Sequence, residues 1–571
     1  MRFAALASDY DGTLATDGRV RPETLAALGR CKESGRKLLL VTGRELDDLL
    51  TVFPGIGVFD RVVAENGALL WRPDTREERP LGERPPEEFA RTLRAKGVEN
   101  VSVGRVIVAT WEPHETTVLE TIREMGLSLQ VIFNKGAVMV LPEGVNKATG
   151  LAAALRELRL SPHNTAGAGD AENDQGFLTL CEFGVAVSNS LDSLKERADW
   201  VTGADHGAGV EELVERLLAD DLQSLQGTVG RHDILVGTSE GGTALTLEPF
   251  AGSMLVAGPS ASGKSSVTTA VLERLAETAH QFCLLDPEGD CDALSHGVRL
   301  GTSSRPPSVD EVLTLLGEPD ESAVVGLVAL SLAEQPAFFD ALLPRLVALR
   351  GATGRPHWIV VDEAHHLMPR HREPSQEILP RDTKGIIFVT VHPDHLSPAV
   401  LANVETVVAM GEPAPKVLAT FAGVTGREAP HTPPWPARDG EALVWRPAAR
   451  EAPFVLTLER PRAEHRRHVR KFAHGRLPED RSFWFRGPDR KLKLRAENLT
   501  RFLDLGEGVD EETWLHHLSA GDFSTWLRRD IKDRELADEI AAIERSADGA
   551  SADDLRGCVR AAVERRYTAP A

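Results

Sequence analysis

Short apolar runs, each followed by a polar or glycine-containing turn, recur along the first 450 residues of the chain. Runs of this length bounded by turn residues predict buried strands, and the stretches between several of them predict helices. Strands that alternate with helices indicate an α/β fold with largely parallel sheets. The runs that precede polar motifs span 3–6, 37–41, 61–64, 254–257, 281–285, 358–361 and 385–391.

The length of 571 residues predicts three or four domains. Between residues 71 and 140 the alternation changes, with helix-like stretches at 85–96 and 115–125, a strand-like stretch at 101–110 and a predicted hairpin of strands at 127–133 and 137–141. We therefore predict a multidomain α/β protein. Its parts are an α/β domain at 1–222 with a small α/β insertion at about 72–142, a linker near 223–231, a second α/β domain at 230–455, and a mostly helical module at 460–571.

Composition narrows the class of protein. Hydrophobic residues make up 42% and charged residues 26% of the chain, as in ordinary soluble globular proteins. No apolar run approaches the roughly 18 residues that a membrane crossing needs, and the N-terminus enters the first strand directly, so we expect no signal peptide. Five scattered cysteines without a CxxC pair fit a reduced cytoplasm and argue against structural zinc. The net charge of −21 argues against a surface that is wholly dedicated to nucleic acid.

The most informative motif follows the first apolar run. Asp9 and Asp11 flank one residue, and Gly12 allows a tight turn after them. In open α/β sheets ligands bind at the carboxyl ends of the strands, so both carboxylates are expected to face one pocket. One aspartate can attack a phosphoryl group while the other handles the proton of the leaving group. Taken alone, the same residues could serve only a polar turn.

Four further motifs follow in order along the chain: VTGR at 41–44, ENGA at 65–68, NK at 146–147 and GDAEND at 169–174. With DYDGTL at 9–14, they resemble the haloacid dehalogenase (HAD) superfamily, and their order resembles its Cof-type, IIB-like phosphatases. The resemblance covers about residues 1–220. It implies a Rossmann-like core whose insertion is a cap that selects the substrate. Because this cap is short, we expect it to leave the site fairly open.

The resemblance also implies roles for single residues. Asp9 would be the nucleophile that forms an aspartyl-phosphate, and Asp11 the general acid and then the base. Thr42 and Lys147 would hold the phosphoryl oxygens. The implied Mg²⁺ ligands are Asp9, the Asp11 carbonyl and Asp170, with Asn173 and Asp174 in support.

The second domain contains a glycine- and serine-rich turn between an apolar strand at 254–257 and a helix-like stretch at 267–277, which is the context of a P-loop. Backbone N–H groups of such a turn bind the phosphates of ATP. Lys264 would reach the β- and γ-phosphates, and the Ser265 hydroxyl would bind Mg²⁺. The residues assigned to nucleotide binding here are Gly258, Ser262, Gly263, Lys264, Ser265 and Ser266.

An apolar strand at 358–361 ends in Asp362 and Glu363, which predicts a Mg²⁺-facing carboxylate and a base for water. With the strand at 281–285 and its DPEGD sequence, these features resemble HerA/FtsK-type ATPases over about residues 230–450. The resemblance implies that His392 occupies the place of a polar sensor. No arginine finger stands out, and His365 and His366 are predicted to pack beside the catalytic strand instead of binding a metal.

Residues 460–495 contain thirteen Lys and Arg against four Asp and Glu, with Phe483, Trp484 and Phe485 among them. Such a stretch can bind single-stranded nucleic acid through phosphate contacts and base stacking. It can equally form strands of a small domain with a basic outer face, which we favour.

The leading hypothesis is a cytoplasmic phosphomonoesterase that acts on a small-molecule phosphate ester with Mg²⁺ and is fused to an ATP-binding and ATP-hydrolysing domain. One alternative is an enzyme that processes nucleic-acid ends. A second is an ATP-switched scaffold. Because the linker is short, we also expect the ATPase to roof part of the phosphatase pocket. The sequence leaves the oligomeric state and the identity of the ester open.

Overall fold

The computed structural model describes residues 1–134, 136–225, 232–248, 252–260, 262–289, 296–371, 384–449, 451–462, 477, 479, 481–489, 492–531, 533–546 and 551–567. Every predicted site residue lies in these ranges. Residues 226–231 of the predicted linker and most of 463–480 in the basic stretch lie outside them.

The chain forms two compact units. The first comprises Met1–Pro287 and His296–Arg460 and contains both α/β domains, which confirms the predicted fold class. The second comprises Glu288–Ser295 and Pro461–Ala571.

An eight-stranded sheet forms the centre of the first domain. Its strand 37–41 is apolar after the exposed Lys37, because both faces of the sheet are covered. In spatial order the strands are Trp200–Val201, Phe183–Ala186, Thr165–Gly169, Ala5–Ser8, Lys37–Val41, Arg61–Ala64, Leu69–Arg72 and Glu77–Pro80. The helices are Pro22–Glu33, Leu46–Val52, Lys147–Glu157, Gln175–Leu180, Asp192–Lys195 and His206–Asp220, with short 3-10 turns at Pro54–Val58, Glu65–Gly67, Pro162–Asn164, Glu172–Asp174 and Gln223–Leu225.

The insertion forms a cap with its own antiparallel sheet and its own apolar core, in which Phe89, Val118 and Val138 have no exposed surface. Side chains of strand Ala137–Pro142 alternate between two clusters: Val138 and Val140 pack in the core of the cap, and Met139 and Leu141 pack on the other face with Ala68. The cap strands are, in spatial order, Leu129–Asn134, Ala137–Pro142, Val108–Trp111 and Ser102–Val103, and its helices are Glu87–Ala95 and Glu115–Glu124.

The second domain contains an eleven-stranded sheet in which seven neighbouring strands are parallel. Strand Ile386–Thr390 lies between the P-loop strand and the strand that ends before Asp362. The spatial order is Ala244–Leu247, Ile234–Ser239, Phe454–Leu458, Glu441–Trp445, Val404–Met410, Ser253–Ala257, Ile386–Thr390, Trp358–Val361, Phe282–Asp286, Ala323–Gly326 and Val298–Leu300. The helices are Lys264–Glu277, Val309–Gly317, Gln335–Thr353, Ala364–Leu367, Pro398–Ala402 and Ala414–Val424.

The two α/β domains contact each other at the amino ends of their strands. Asn164 directly precedes strand Thr165–Gly169, and its amide group binds the Gly354 carbonyl and the His357 ring at 3.3 and 3.1 Å. His357 in turn directly precedes strand Trp358–Val361. Ligands of such sheets bind at the carboxyl ends. The ATPase domain therefore lies opposite the phosphatase edge, and the expectation that it roofs the phosphatase pocket is wrong.

Four histidines from distant parts of the chain meet at this seam: His163, His232, His280 and His357. His163 places Nδ1 2.8 Å from Glu182 Oε2 and Nε2 2.6 Å from the Thr278 carbonyl, so both ring nitrogens have a polar partner. Its ring stacks on His280 at 3.7 Å. Burial lowers the pKa of His280 and of His357 well below the usual value for histidine.

Ligating atoms of His163, Glu182 and His280 lie within 4.8 Å of one another. The rings of the two histidines are nevertheless inclined by only 18°, so their in-plane lone pairs do not converge on one ion. We therefore interpret the cluster as a polar joint between the domains.

Arg355 links the two domains at this polar joint, and its contribution to stability can be measured. Its guanidinium is buried and donates to the carbonyl of Arg159 in the first domain at 2.6 Å and to that of Leu316 at 3.3 Å. We expect Arg355→Ala to lower the melting temperature by several degrees, because buried carbonyls lose their donors.

Arg156→Ala is the matched control, since Arg156 pairs with Asp320 across the same seam but both side chains are exposed. We expect it to shift the melting temperature by less than about one degree. Equal shifts for the two variants in calorimetry would contradict the role of Arg355 as a link between the domains.

The second unit is mostly helical around an aromatic core. Phe483 and Phe485 are buried in a short hairpin, so their rings are not available for stacking on bases. The core also contains Phe502, Trp514, Phe523 and Trp526. Its elements are strands Phe483–Phe485 and Leu494–Ala496, helices Leu499–Gly508, Glu511–Ser519, Asp522–Trp526, Arg534–Arg545 and Ala552–Tyr567, and a π-helical turn at Leu527–Ile531. Across the described residues, no helix combines the length and apolar character that a bilayer crossing requires.

Candidate active sites of the two α/β domains

The predicted residues of the first domain meet at the carboxyl edge of its sheet, because strands 5–8, 37–41 and 165–169 are parallel neighbours. Asp9 directly follows the first of these strands, and its N–H donates to the Ala168 carbonyl at 2.9 Å. Gly12 has a φ of +88°, a conformation that side chains disfavour. The turn after Asp9 thus has the geometry that the sequence predicts.

Lys147 binds two carboxylates at the centre of this site. Its Nζ lies 2.6 Å from Asp9 Oδ1 and 2.6 Å from Asp174 Oδ1, and all three side chains are buried. Asn146 caps the helix that begins at Lys147, which fixes the direction of the lysine. Burial and the carboxylates of Asp174 and Asp170 raise the pKa of Asp9 to about 8, against the effect of Lys147.

Asp9, Asp170 and Asp174 place carboxylate oxygens within 4.8 Å of one another. This buried, all-oxygen donor set fits Mg²⁺. Asp174 uses Oδ2 to accept the N–H groups of Asp170 and Ala171, both at 2.9 Å, and Oδ1 to accept Lys147. Asp170 accepts the Thr13 hydroxyl at 3.1 Å. Asp174 therefore shapes the loop and orients Lys147 in this arrangement, while Asp9 and Asp170 are better placed to hold a cation.

Asp11 lies at the half-exposed entrance and is bound by Arg44. Nε and Nη2 of Arg44 donate to its two oxygens at 2.6 and 2.7 Å, which is the bidentate geometry preferred by arginine and carboxylate. Arg44 also binds Asp48 at 2.5 Å. The hydrogen bonds of Asp11 and Asp48 raise the pKa of Arg44, with burial opposing. The sequence analysis gave Arg44 of the VTGR motif no role of its own. In the structure its two hydrogen bonds orient the Asp11 carboxylate.

Thr42 is buried beside Asn66. The Asn66 N–H donates to the Thr42 carbonyl at 3.0 Å, and Asn66 Oδ1 accepts the amide of Asn173 at 3.1 Å. The Arg44 N–H lies 3.2 Å from the Thr42 hydroxyl. This turn therefore brings the threonine motif and the aspartate loop together.

The cap covers this edge of the sheet, so the expectation of a fairly open site is wrong. Strand Leu129–Asn134 of the cap lies against the turn Glu172–Asp174. Met139, on the neighbouring cap strand, contacts Gly43, where an added Cβ would lie 3.3 Å from its Cε.

The P-loop residues form the predicted turn between strand Ser253–Ala257 and helix Lys264–Glu277. Gly258 has no room for a side chain, because a Cβ would lie 2.6 Å from the Met410 carbonyl. Gly263 has a φ of +96°, and Ser265 and Ser266 lie in the first turn of the helix. Lys264 Nζ donates to the carbonyls of Gly258 and Pro259 at 2.9 and 3.0 Å, and Ser262 completes the loop.

Asp362 and Glu363 follow strand Trp358–Val361, and His392 follows strand Ile386–Thr390, which lies between that strand and the P-loop strand. Asp362 is buried, and Oδ1 accepts the Glu363 N–H at 3.1 Å. Glu363 has left-handed backbone angles, with a φ of 39°. The His392 N–H donates to the Thr390 hydroxyl at 3.3 Å, while the Thr390 carbonyl accepts the Gly258 N–H. The three residues are therefore brought to the edge that holds the P-loop.

Two different family models match the two α/β domains. Residues 6–102 and 95–214 match the model of haloacid dehalogenase-like hydrolases, and residues 244–383 match the AAA ATPase domain. The second match confirms that the chain contains an ATPase domain, which it identifies as an AAA ATPase domain.

Several curated relatives match a stretch of the chain about as long as the first domain. A phosphoglycolate phosphatase of Methanothermobacter thermautotrophicus is 34% identical over 38% of this chain and 98% of its own length. One from Pyrobaculum aerophilum is 31% identical over 38% of this chain and 97% of its own length. A solved haloacid dehalogenase-like hydrolase from Bacteroides thetaiotaomicron matches 38% of this chain and 99% of its own, with 18% identity and a TM-score of 0.34. Through its first domain, this chain belongs to the haloacid dehalogenase-like hydrolases.

Proposed function

We propose that the first domain is a Mg²⁺-dependent phosphomonoesterase of the Cof type that works through an aspartyl-phosphate on Asp9. The observation that carries the proposal is the buried Lys147 ammonium, 2.6 Å from oxygens of both Asp9 and Asp174. A fixed cation beside a carboxylate nucleophile counters the charge that a phosphoryl group brings.

In the proposed reaction an oxygen of Asp9 attacks phosphorus, the bond from phosphorus to the ester oxygen breaks, and Asp11 protonates that oxygen. Asp11 then takes a proton from water, which attacks the aspartyl-phosphate and regenerates Asp9 as phosphate leaves. Arg44 orients Asp11 for both proton transfers through its two hydrogen bonds. Thr42 and Lys147 hold phosphoryl oxygens.

Mg²⁺ bound by Asp9, Asp170 and the Asp11 carbonyl would supply charge stabilisation at the phosphoryl oxygens. We expect a chelator to abolish phosphate release and added Mg²⁺ to restore it.

For the second domain we propose binding and hydrolysis of ATP in the manner of HerA/FtsK-type ATPases. Lys264 and the P-loop amides would hold the phosphates, Ser265 and Asp362 the Mg²⁺ ion, and Glu363 the attacking water, with His392 as the sensor. Asp362 directly follows strand Trp358–Val361 and Glu363 is the next residue, which supports this division of roles.

We propose a small phosphorylated metabolite as the substrate, and 2-phosphoglycolate as the first compound to test. Two features support this choice: curated relatives named phosphoglycolate phosphatase match over nearly their full length, and the cap packs on the catalytic loops. The test is kcat/KM for phosphate release from 2-phosphoglycolate, from larger sugar phosphates and from an oligonucleotide with a terminal phosphate. Preference for the oligonucleotide would contradict the proposal and favour the processing of nucleic-acid ends.

A further inference from the structure

One buried carboxylate in the first domain belongs neither to the nucleophile pair nor to the cation site. Glu65 has no exposed surface. Its Oε1 accepts the N–H of Arg105 at 2.8 Å, and its Oε2 accepts those of Val106 and Ile107 at 2.7 and 3.0 Å. All three donors come from the cap, whereas Glu65 belongs to the core. A charge is stable in such a place only when several donors surround it.

The cap loop is shaped around this carboxylate. Gly104 precedes the three donors, and its N–H closes the loop onto the Ile107 carbonyl at 2.9 Å. A Cβ at Gly104 would lie 2.6 Å from Glu65 Oε1, so no side chain fits there. Successive N–H groups that converge in this way form a concave binding place for an anion. Here the anion is a side chain of the same protein.

Glu65 also belongs to the turn that joins the catalytic motifs. Glu65 and Asn66 have φ values of 51° and 54°, which is a strained conformation for residues other than glycine. Asn66 contacts Thr42 and Asn173 through the hydrogen bonds described above. Gly67 packs so closely on the residue before Lys147 that a Cβ would lie 1.9 Å from the Asn146 carbonyl. One three-residue turn therefore contacts the cap, the threonine, the aspartate loop and the start of the lysine helix.

We propose that Glu65 is the latch that holds the cap closed over the phosphatase site and couples that closure to the arrangement of the catalytic groups. Substrate must enter beneath the cap, so the three hydrogen bonds break on opening and form again on closing. Glu65 is a positioning residue, since it contacts none of the reacting groups. The inference rests on the proposed phosphatase function and extends it to substrate selection, because only small leaving groups fit under a closed cap.

Glu65→Gln tests the latch with almost no change in shape. A carboxamide has one acceptor oxygen, and its NH₂ group would face an N–H of the cap. We expect kcat/KM for 2-phosphoglycolate, or for the best small ester, to fall at least tenfold. For a bulky ester we expect kcat/KM to fall less than threefold. The ratio of kcat/KM for the small ester to that for the bulky ester should therefore decrease. Hydrogen exchange of the amides of residues 105–107 should accelerate at least tenfold, and this readout needs no phosphatase activity.

Asp47→Asn is the matched control. Asp47 also holds Arg105 of the cap, but both side chains are exposed. We expect it to change selectivity and exchange less than twofold.

Gly104→Ala tests the same contact from the cap and replaces Glu65→Gln if that variant does not fold. The new methyl group would displace the Glu65 carboxylate, so the same changes in selectivity and exchange are expected. Unchanged exchange at 105–107 in a folded variant would overturn the latch. Faster exchange with unchanged selectivity would overturn it as well, because Glu65 would then only stabilise the cap. If the wild-type protein releases no phosphate from any ester, the proposed function fails, and the exchange data still decide the hydrogen-bonded latch.

Discussion

Asp9→Asn is expected to lower the rate of phosphate release by at least about a thousandfold. A carboxamide does not attack phosphorus, and its NH₂ group cannot accept a hydrogen bond from Lys147, which donates to Asp9 at 2.6 Å. The readout is phosphate released per enzyme under saturating Mg²⁺ and substrate. ATP binding should remain, since Asp9 and the P-loop lie at opposite edges of the first unit.

Asp192→Asn provides the control, because Asp192 is an almost fully exposed aspartate of the same domain, with its side chain 96% exposed. Its rate should equal that of the wild type. Phosphate release by pure Asp9→Asn at more than a few per cent of the wild-type rate would refute Asp9 as the nucleophile.

Lys264→Ala is expected to weaken ATP binding by about 1.5–3 kcal/mol, or roughly 10- to 100-fold in the dissociation constant. The lysine ammonium is the buried cation of the P-loop and lies against two loop carbonyls at 2.9 and 3.0 Å. Its loss would remove charge-assisted hydrogen bonds to the phosphates and the donor to the two loop carbonyls. Calorimetric titration with a slowly hydrolysed ATP analogue measures the effect.

Two further variants make this result specific. Lys416→Ala removes an exposed lysine of the same domain and should leave the affinity unchanged. Glu363→Gln should keep the affinity but slow turnover, because the attacking water loses its base. Wild-type affinity and turnover in Lys264→Ala would show that this loop is not the nucleotide site.

The sequence predicted those parts of the site whose position follows from the order of strands, turns and helices along the chain. Asp9, Thr42 and Asp170 each follow an apolar run, and parallel strands bring such positions to one edge without further information. The roles of these residues stay predictions until the variants are measured. The position of the cap was predictable from the change in alternation, but its closure was not, because length alone does not say how a sheet is oriented.

The interdomain seam was beyond sequence reasoning for a different reason. The seam is built from single polar residues without periodic spacing, among them His163, His357 and Arg355. Their contacts form only when the two folded domains meet, so the sequence alone does not predict them. Glu65 was visible as part of a motif, but its partners are backbone N–H groups, which every residue except proline has. Contacts of that kind leave no signal in the identity of the donor residues.

The two sheets contact each other at the amino ends of their strands, and this arrangement affects how substrates and products enter and leave the two sites. The two active sites open on opposite sides of the first unit, so occupants of any size can bind both at once without steric competition. Phosphate released from ATP leaves far from the place where an ester would be hydrolysed, and no intermediate can pass directly between them. A direct influence of one reaction on the other through the first unit would pass through the contacts at the amino ends of the strands, such as that between Asn164 and His357.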